Sequence, residues 1–498
     1  TLYLLYANPK HMKQAEKTVD VLASMLELKE EKSALLERLT RDPNDQYEPV
    51  AHNLTRQQKE QIEKMKLTGI AFTEEMNRYY PAGSKAAHLT GFVGYKENAK
   101  IGLYGLEGYF EEELAGLPGY LRRERDALGR WIPIGNKFLE EARDGDDYVL
   151  TIDDAIQTHA CQALAEGIEK YGAKSGLVLI MNPKTGALLA LCNQPTFDPN
   201  EYQKVEDLAV FNNLAVSQEY EPGSVMKAMT MAAGLDLGVV NPSTTYVDTG
   251  EVKIGEFTIR NSDLKAHGTT DMTTVLVRSL NTGAIFVSKQ VGSERFADYI
   301  ERFGFGVPTG VELSYEQEGD LGNLKEGRDV YTYTASYGQG ITVTPIQLLA
   351  AYGALANGGT LMKPYVVEKI VKKDGLEIPT RPQIVRQVIT KRTAATLSAM
   401  LASVANRGHA KVDGYYMAGK TGTAQVARSD GRGYDEWKTI HTFAGYGPIQ
   451  DPKFAIVIKF DQATSSRWAD GTTSPLFAKI AKFLVDYYHI PPSVTEEE

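Results

Sequence analysis

The chain has 498 residues, 42% of them hydrophobic and 24% charged, the composition of an ordinary globular protein. That length allows roughly two to four domains and a large core. A net charge of −10, with lysine and arginine scattered rather than massed, excludes a nucleic-acid binder.

In chain order, the start is Thr1 rather than methionine, followed at once by the strand-like Leu2-Tyr3-Leu4-Leu5-Tyr6. This is expected of a truncated start inside a fold, with no signal peptide. No apolar run approaches the roughly 18 residues that span a bilayer. Val19, Leu22, Met25 and Leu26 recur at helical spacing and predict one long helix over 8–39, ended by the polar turn Arg41–Asp45. A second, charged helix is predicted from about Thr55 to Lys66. Residues 70–145 are glycine-rich and aromatic without long periodicity, and read as short strands and helices. A boundary is expected near Arg143–Asp147.

Beyond it, Val149–Ile152 is strand-like, and Asp153 or Asp154 can cap a helix with the stripe Ile156, Ala160, Leu164, Ile168. Gly176–Met181 and Ala187–Cys192 flank the turn Asn182–Gly186, a β-hairpin pattern. Cys161 and Cys192 are too few for a disulfide framework or a structural zinc site. Two buried thiols are expected, with one disulfide the alternative. Helical patterns dominate from 224 to 410. Gly414–Ala427, Thr439–Tyr446 and Phe454–Phe460 are successive strands, and a last helix is expected to start at Ser474-Pro475. An acidic tail, Glu496–Glu498, is expected to be disordered. The order hairpin, helices, sheet, helix implies one shared antiparallel sheet with helices packed on it, an α+β fold.

Glu221-Pro222-Gly223-Ser224-Val225-Met226-Lys227 opens one of the helical segments. Residues i and i+3 share a helix face, so the Lys227 amine can approach the Ser224 hydroxyl. A serine is a weak nucleophile until a base takes its proton. A lysine is that base only if burial or another cation lowers its pKa. Roughly two S-x-x-K matches are expected by chance, and Ser262–Lys265 is a second one. Two further patterns select Ser224. Ser279-Leu280-Asn281 is the only S-x-N, placed where a helix meets a loop. Lys420-Thr421-Gly422-Thr423 lies on a predicted strand, where glycine weakens pairing unless another backbone comes close; a substrate peptide would need such access. The other K-T-G, Lys184–Gly186, sits in a hairpin turn and is explained by turn chemistry.

The order S-x-x-K, S-x-N, K-T-G resembles that of β-lactamases and penicillin-binding proteins. With Ser336–Leu348, Arg78–Gly94 and Gly105–Gly119, nearly the whole chain resembles the class B penicillin-binding proteins, the transpeptidases that cross-link bacterial cell-wall peptidoglycan. Glu221-Pro222-Gly223 leans toward the cell-division and sporulation branch rather than elongation. The resemblance implies a penicillin-binding transpeptidase fold over 146–492 and an elongated N-terminal pedestal or dimerisation module over 1–145, with 493–498 as tail. It implies Ser224 as nucleophile, Lys227 as base, Ser279 as proton relay, Asn281 on the substrate amide and Lys420 as the charge beside Lys227. Lys420, Thr421 and Thr423, with Gly422 between them, are expected to bind the terminal carboxylate, and Ser224 and Thr423 N–H groups to form the oxyanion hole.

No cofactor or metal is expected. The implied partners are stem peptides, β-lactam antibiotics, a polytopic membrane glycosyltransferase and other cell-wall synthesis proteins. The implied location is the cell membrane, through a single N-terminal anchor absent from this chain, with the catalytic domain outside the cytoplasm. Arg407-Gly408-His409 departs from the glycine-threonine expected before the K-T-G strand; His409 is either a substrate contact or a loop variant. A β-lactamase, a β-lactam-sensing domain and a degenerate structural subunit are the rival readings. The first lacks a well-placed deacylating glutamate, and the third is disfavoured by three intact motifs.

Overall fold

The structure, a computed structural model, describes residues 2–26, 28, 31–96, 99–117, 119–123, 137–255, 257–427 and 433–493. The chain divides into two compact units, Thr1–Pro81 and Ala82–Glu498. In the first, β1 (Leu2–Ala7) lies between β2 (Glu48–Leu54) and β3 (Ile70–Glu75), both antiparallel to it. The single helix expected over 8–39 is instead a 3-10 turn at Pro9–His11 followed by α1 (Ala15–Leu26) and α2 (Lys32–Thr40). Packing explains the break. Val19 of α1 meets Leu35 and Leu39 of α2 over Ala7, while Leu22 meets Leu5, Leu54 and Ile62. One helix of that length would run about 48 Å and could not fold both stripes onto one short sheet. The charged helix α3 (Arg56–Lys64) starts where expected. Thr55 Oγ1 accepts the Gln58 N–H at 3.2 Å, and the Gln58 side chain accepts the Thr55 N–H at 2.9 Å, a capping box.

The second unit is built on a five-stranded antiparallel sheet in the order β5-β4-β8-β7-β6. Its members are β4 (Ser175–Met181), β5 (Leu188–Gln194), β6 (Ala418–Ala427), β7 (Tyr434–Gly447) and β8 (Phe454–Asp461). The hairpin from early in the unit thus pairs with strands from its end, as the element order predicts. The principal helices are α4 (Asp154–Tyr171), α5 (Lys227–Asp236), α6 (Met272–Arg278), α7 (Asn281–Val291), α8 (Pro345–Ala356), α9 (Lys391–Arg407) and α10 (Thr473–Tyr487). Asp153 caps α4, accepting the N–H groups of Ala155 and Ile156 at 3.0 and 3.1 Å. α10 begins at Thr473, so Ser474-Pro475 falls inside its first turn.

Both faces of the sheet are covered. Leu177, Leu179 and Met181 of β4 join a core with Val225, Met229 and the α8 residues Ile346 and Leu349. The alternate residues Val178 and Ile180 join a second core with Ile156 and Leu164 of α4 and Phe477 and Ile480 of α10. A strand buried on both sides has no solvent face to mark with polar residues, hence the unbroken apolar runs. Residues from 82 onward belong to this unit: Leu89 and Leu106 enter the first core, and Phe92 stacks on Tyr202 with ring centroids 4.3 Å apart.

The two cysteines are not free thiols. α4 packs across the hairpin, and Cys161 and Cys192 form a disulfide with Cα atoms 5.2 Å apart, inside the range a disulfide spans. The tail Glu496–Glu498 lies outside the described residues. Among the described residues, no helix is long and apolar enough to cross a membrane.

Candidate active site

Ser224 lies in a short 3-10 turn, Gly223–Met226, that runs directly into α5, so Lys227 is the first α-helical residue. The turn is clamped from behind. The Gly223 N–H donates to the Gly338 carbonyl at 3.0 Å, and Thr230 Oγ donates to the Ser336 carbonyl at 2.7 Å. The buried Tyr352 hydroxyl donates to the Val225 carbonyl at 2.9 Å. A Cβ on Gly338 would lie 2.2 Å from the Gly223 oxygen, so only glycine fits there. The Ser336–Gly340 segment, singled out in the sequence, therefore supports the turn that carries Ser224.

Ser279 caps α6 in the left-handed region, with φ 57° and ψ 45°, and Asn281 opens α7. The left-handed turn aims both the carbonyl and the hydroxyl of Ser279 at one point. Lys227 Nζ fills it, 2.6 Å from Ser279 O, 3.2 Å from Ser279 Oγ and 2.7 Å from Asn281 Oδ1. Lys420 Nζ approaches the same hydroxyl from β6, 3.0 Å from Ser279 Oγ and 3.0 Å from Thr421 O. One serine hydroxyl thus bridges two lysines, each 1% exposed.

Burial first, and then the like charge of Lys420, pull the Lys227 amine well below the ordinary lysine value. Burial also lowers Lys420, to about 7, with the Asp470 carboxylate opposing the shift. Both causes are the ones expected from the sequence; removal from water is the larger for Lys227, and the hydrogen-bond partners of both amines are neutral oxygens. Among the described residues, no hydrogen bond reaches the Ser224 hydroxyl, and Lys227 points to the Ser279 loop instead. Catalytic contacts are often loose without substrate.

β6 is the last strand of the sheet order, leaving one edge open to an extended peptide. Its glycines have a different cause from the one expected. A Cβ on Gly422 would meet the Pro222 carbonyl at 2.9 Å, and one on Gly419 the Phe443 ring at 2.4 Å. The backbone that comes close to Gly422 is the turn that carries Ser224, so the glycine brings Ser224 and the K-T-G strand together. Thr423 Oγ1 accepts the Ala469 N–H at 3.0 Å. The competing matches stay away: Ser262 is exposed in a loop between short strands, and Lys184–Gly186 forms the β4–β5 turn.

Two acidic groups have surroundings that sequence reasoning missed. Glu221 Oε1 accepts the Gly340 N–H at 2.9 Å and the Tyr434 hydroxyl at 3.1 Å, and its Oε2 is buried without a partner among the described residues. Burial raises this carboxyl above its ordinary value. Asp470 faces His409 beside the Thr423 hydroxyl contact. Asp470 belongs to no motif, and although Glu221 opens the Glu221-Pro222-Gly223 pattern, its burial and partners are not encoded at one position. Among the described residues no group of three or more His, Cys, Asp or Glu side chains could hold a metal ion.

Residues 176–482 match the penicillin binding protein transpeptidase domain, and residues 1–150 match the penicillin-binding protein dimerisation domain. Stage V sporulation protein D of Bacillus subtilis is 32% identical over 96% of this chain and 74% of its own length. Peptidoglycan D,D-transpeptidase FtsI of Buchnera aphidicola is 29% identical over 91% of this chain and 77% of its own. Penicillin binding protein 3 of Mycobacterium tuberculosis, solved with ampicillin, superposes with a TM-score of 0.75 at 29% identity, covering 87% of this chain and 93% of that one. The sporulation and FtsI relatives fit the branch suggested by Glu221-Pro222-Gly223. On the two domain matches and the 32% identity, the chain belongs to the class B penicillin-binding proteins, with a transpeptidase domain and a dimerisation domain.

Proposed function

We propose that this protein is a peptidoglycan D,D-transpeptidase that works through a serine acyl-enzyme and is trapped there by β-lactams. The observation that carries the reading is the Ser279 hydroxyl bridging two buried lysines beside the Ser224 turn. Neutral Lys227 takes the Ser224 proton as the hydroxyl oxygen attacks the carbonyl between the two terminal D-alanines. In the neutral amine, two N–H bonds are matched by Ser279 O and Asn281 Oδ1, and the lone pair is left for a proton. The oxyanion is received by the Ser224 and Thr423 N–H groups. The C–N bond breaks as Ser279 passes a proton to the leaving D-alanine nitrogen. Lys420, Thr421 and Thr423 hold the terminal carboxylate, with Gly422 keeping the strand close, and Asn281 orients the peptide amide. The amine of a second stem peptide then attacks the ester and releases Ser224.

The finer assignments rest on the family. Residues 1–145 act as the non-catalytic pedestal, 146–492 as the transpeptidase, and 493–498 as a tail. A polytopic membrane glycosyltransferase is the expected partner, with one N-terminal anchor and the catalytic domain outside the cytoplasm. The disulfide Cys161–Cys192 supports that placement, since disulfides persist in oxidising compartments.

A fluorescent penicillin should label the protein covalently, and Ser224→Ala should abolish the label. Lys227→Ala should slow acylation about 10²–10⁴-fold, the value of general-base help. Label that survives Ser224→Ala, or is lost only with Ser262→Ala, would sink the assignment.

A further inference from the structure

A hydroxyl has one hydrogen to donate. Because Thr423 Oγ1 accepts the Ala469 N–H, its own hydrogen is directed by that contact. The N–H belongs to a 3-10 turn, Ala469–Gly471, between β8 and α10. The turn is held on two sides. On the inner side, the Thr472 hydroxyl donates to the Ala469 carbonyl at 3.3 Å and accepts from His441 Nδ1 at 2.9 Å. His441 Nε2 accepts from Thr439 Oγ1 at 3.0 Å. His441 is buried, and burial holds it down to about 4, so this side is a neutral scaffold.

On the outer side the holder is Asp470. Its Oδ2 lies 2.6 Å from His409 Nδ1, and its Oδ1 accepts the His409 N–H at 3.2 Å. Gly408 makes room: a Cβ there would lie 2.7 Å from Asp470 Oδ1. The two side chains are 67% and 42% exposed, so as an ion pair they add little to stability. What they do is tie the segment after α9 to the turn that orients Thr423. His409 stands where the glycine-threonine pattern expected of the family is absent, and Asp470 is the group that answers it.

We propose that His409 and Asp470 are a positioning pair for the carboxylate subsite, locking the Ala469–Gly471 turn so that the Thr423 hydroxyl presents its hydrogen to the substrate's terminal carboxylate. This rests on the reading of Lys420, Thr421 and Thr423 as the carboxylate binders. Neither residue of the pair touches the reacting atoms.

The test compares two acyl-D-alanine-type thioesters with the same acyl group, one with a carboxylate on its leaving group and one with a neutral amide there. On the full chain, His409→Ala and Asp470→Ala should each raise KM for the carboxylate thioester roughly tenfold, about the value of misaligning one charge-assisted hydrogen bond. Its kcat and both constants for the neutral thioester should hold. Asp470→Asn keeps an oxygen for the His409 N–H and should recover most of the loss. Should Asp470→Ala fail to fold, the exposed His409→Ala carries the same comparison. Equal slowing of both thioesters, or an unchanged KM, would overturn the proposal. Thr423→Val separates the two layers. If it abolishes discrimination while the pair's variants do not, only the positioning role falls. If it leaves discrimination intact, the carboxylate reading falls and takes the pair with it.

Discussion

Lys227 and Lys420 are kept from water and meet only neutral hydrogen-bond partners among the described residues. That arrangement favours the neutral amines and costs stability. Lys420 titrates at about 7 in the folded chain, against an ordinary value of 10.5. Between those values the unfolded chain binds the extra proton, so stability rises with pH across the window and is lost as pH falls toward 7. Lys420→Met should therefore raise the unfolding free energy at pH 7, on the order of a few kcal/mol. The gain should fade toward pH 10, and penicillin labelling should be lost. Urea titrations at the two pH values check this. A lowered midpoint at pH 7 would mean that the oxygens around Lys420 offset its burial completely. The two lysines were legible from their motifs. The order of causes was not, because desolvation depends on everything packed around the amine.

At the scale of elements, the site is a junction of the Ser224 turn, the α6–α7 corner and the edge strand β6. The Ser336–Gly340 segment backs the first of these. Gly338 has φ +85°, and the space a Cβ would take is filled by Gly223. Gly375 has nearly the same backbone, φ +88°, with nothing within 4 Å of an added Cβ. Gly338→Ala should cost about 1–3 kcal/mol through overpacking, beyond the shared backbone strain, and should slow acylation by shifting the Ser224 turn. Gly375→Ala should show the strain alone, with acylation unchanged. Stopped-flow labelling and thermal unfolding of the two variants separate the cases; equal acylation rates would show that Gly338 does not set the turn. The elements themselves were readable where a local pattern specified them, as with the helix start at Thr55 and the cap at Asp153. The break in the helix expected over 8–39 was not, because it serves contacts between residues far apart in sequence.

For the whole molecule, the sheet separates two cores, and the Ser224 turn, through Val225 and Met226, belongs to one of them. The disulfide ties α4 to β5 on the other side, where Cys192 packs with Ile156 and Ile180. It closes a loop with a sequence separation of 31. The loop-entropy estimate for that length is about 3–4 kcal/mol. Replacing both cysteines by serine should lower the unfolding free energy by about that amount while leaving penicillin labelling intact. Equilibrium unfolding in urea, compared with the oxidised wild type, is the measurement, and an unchanged midpoint would show that the folded core alone closes the loop.

The sequence by itself determined the candidate set and its order: Ser224 and Lys227 on one helix start, Ser279 and Asn281 at a helix–loop corner, Lys420 to Thr423 on a strand. It also determined that the apolar runs around Asn182–Gly186 form a hairpin, while their burial on both faces is a finding of the structure. These features are carried by neighbours in the chain, where spacing and turn chemistry are visible. Only the tertiary structure decided which glycine admits which backbone, that Cys161 and Cys192 are joined, and that His409 faces Asp470 beside Thr423. It also decided that burial is the larger cause of the Lys227 shift. Each of those depends on distance and solvent exclusion between segments up to hundreds of residues apart, and no local pattern in the sequence records them.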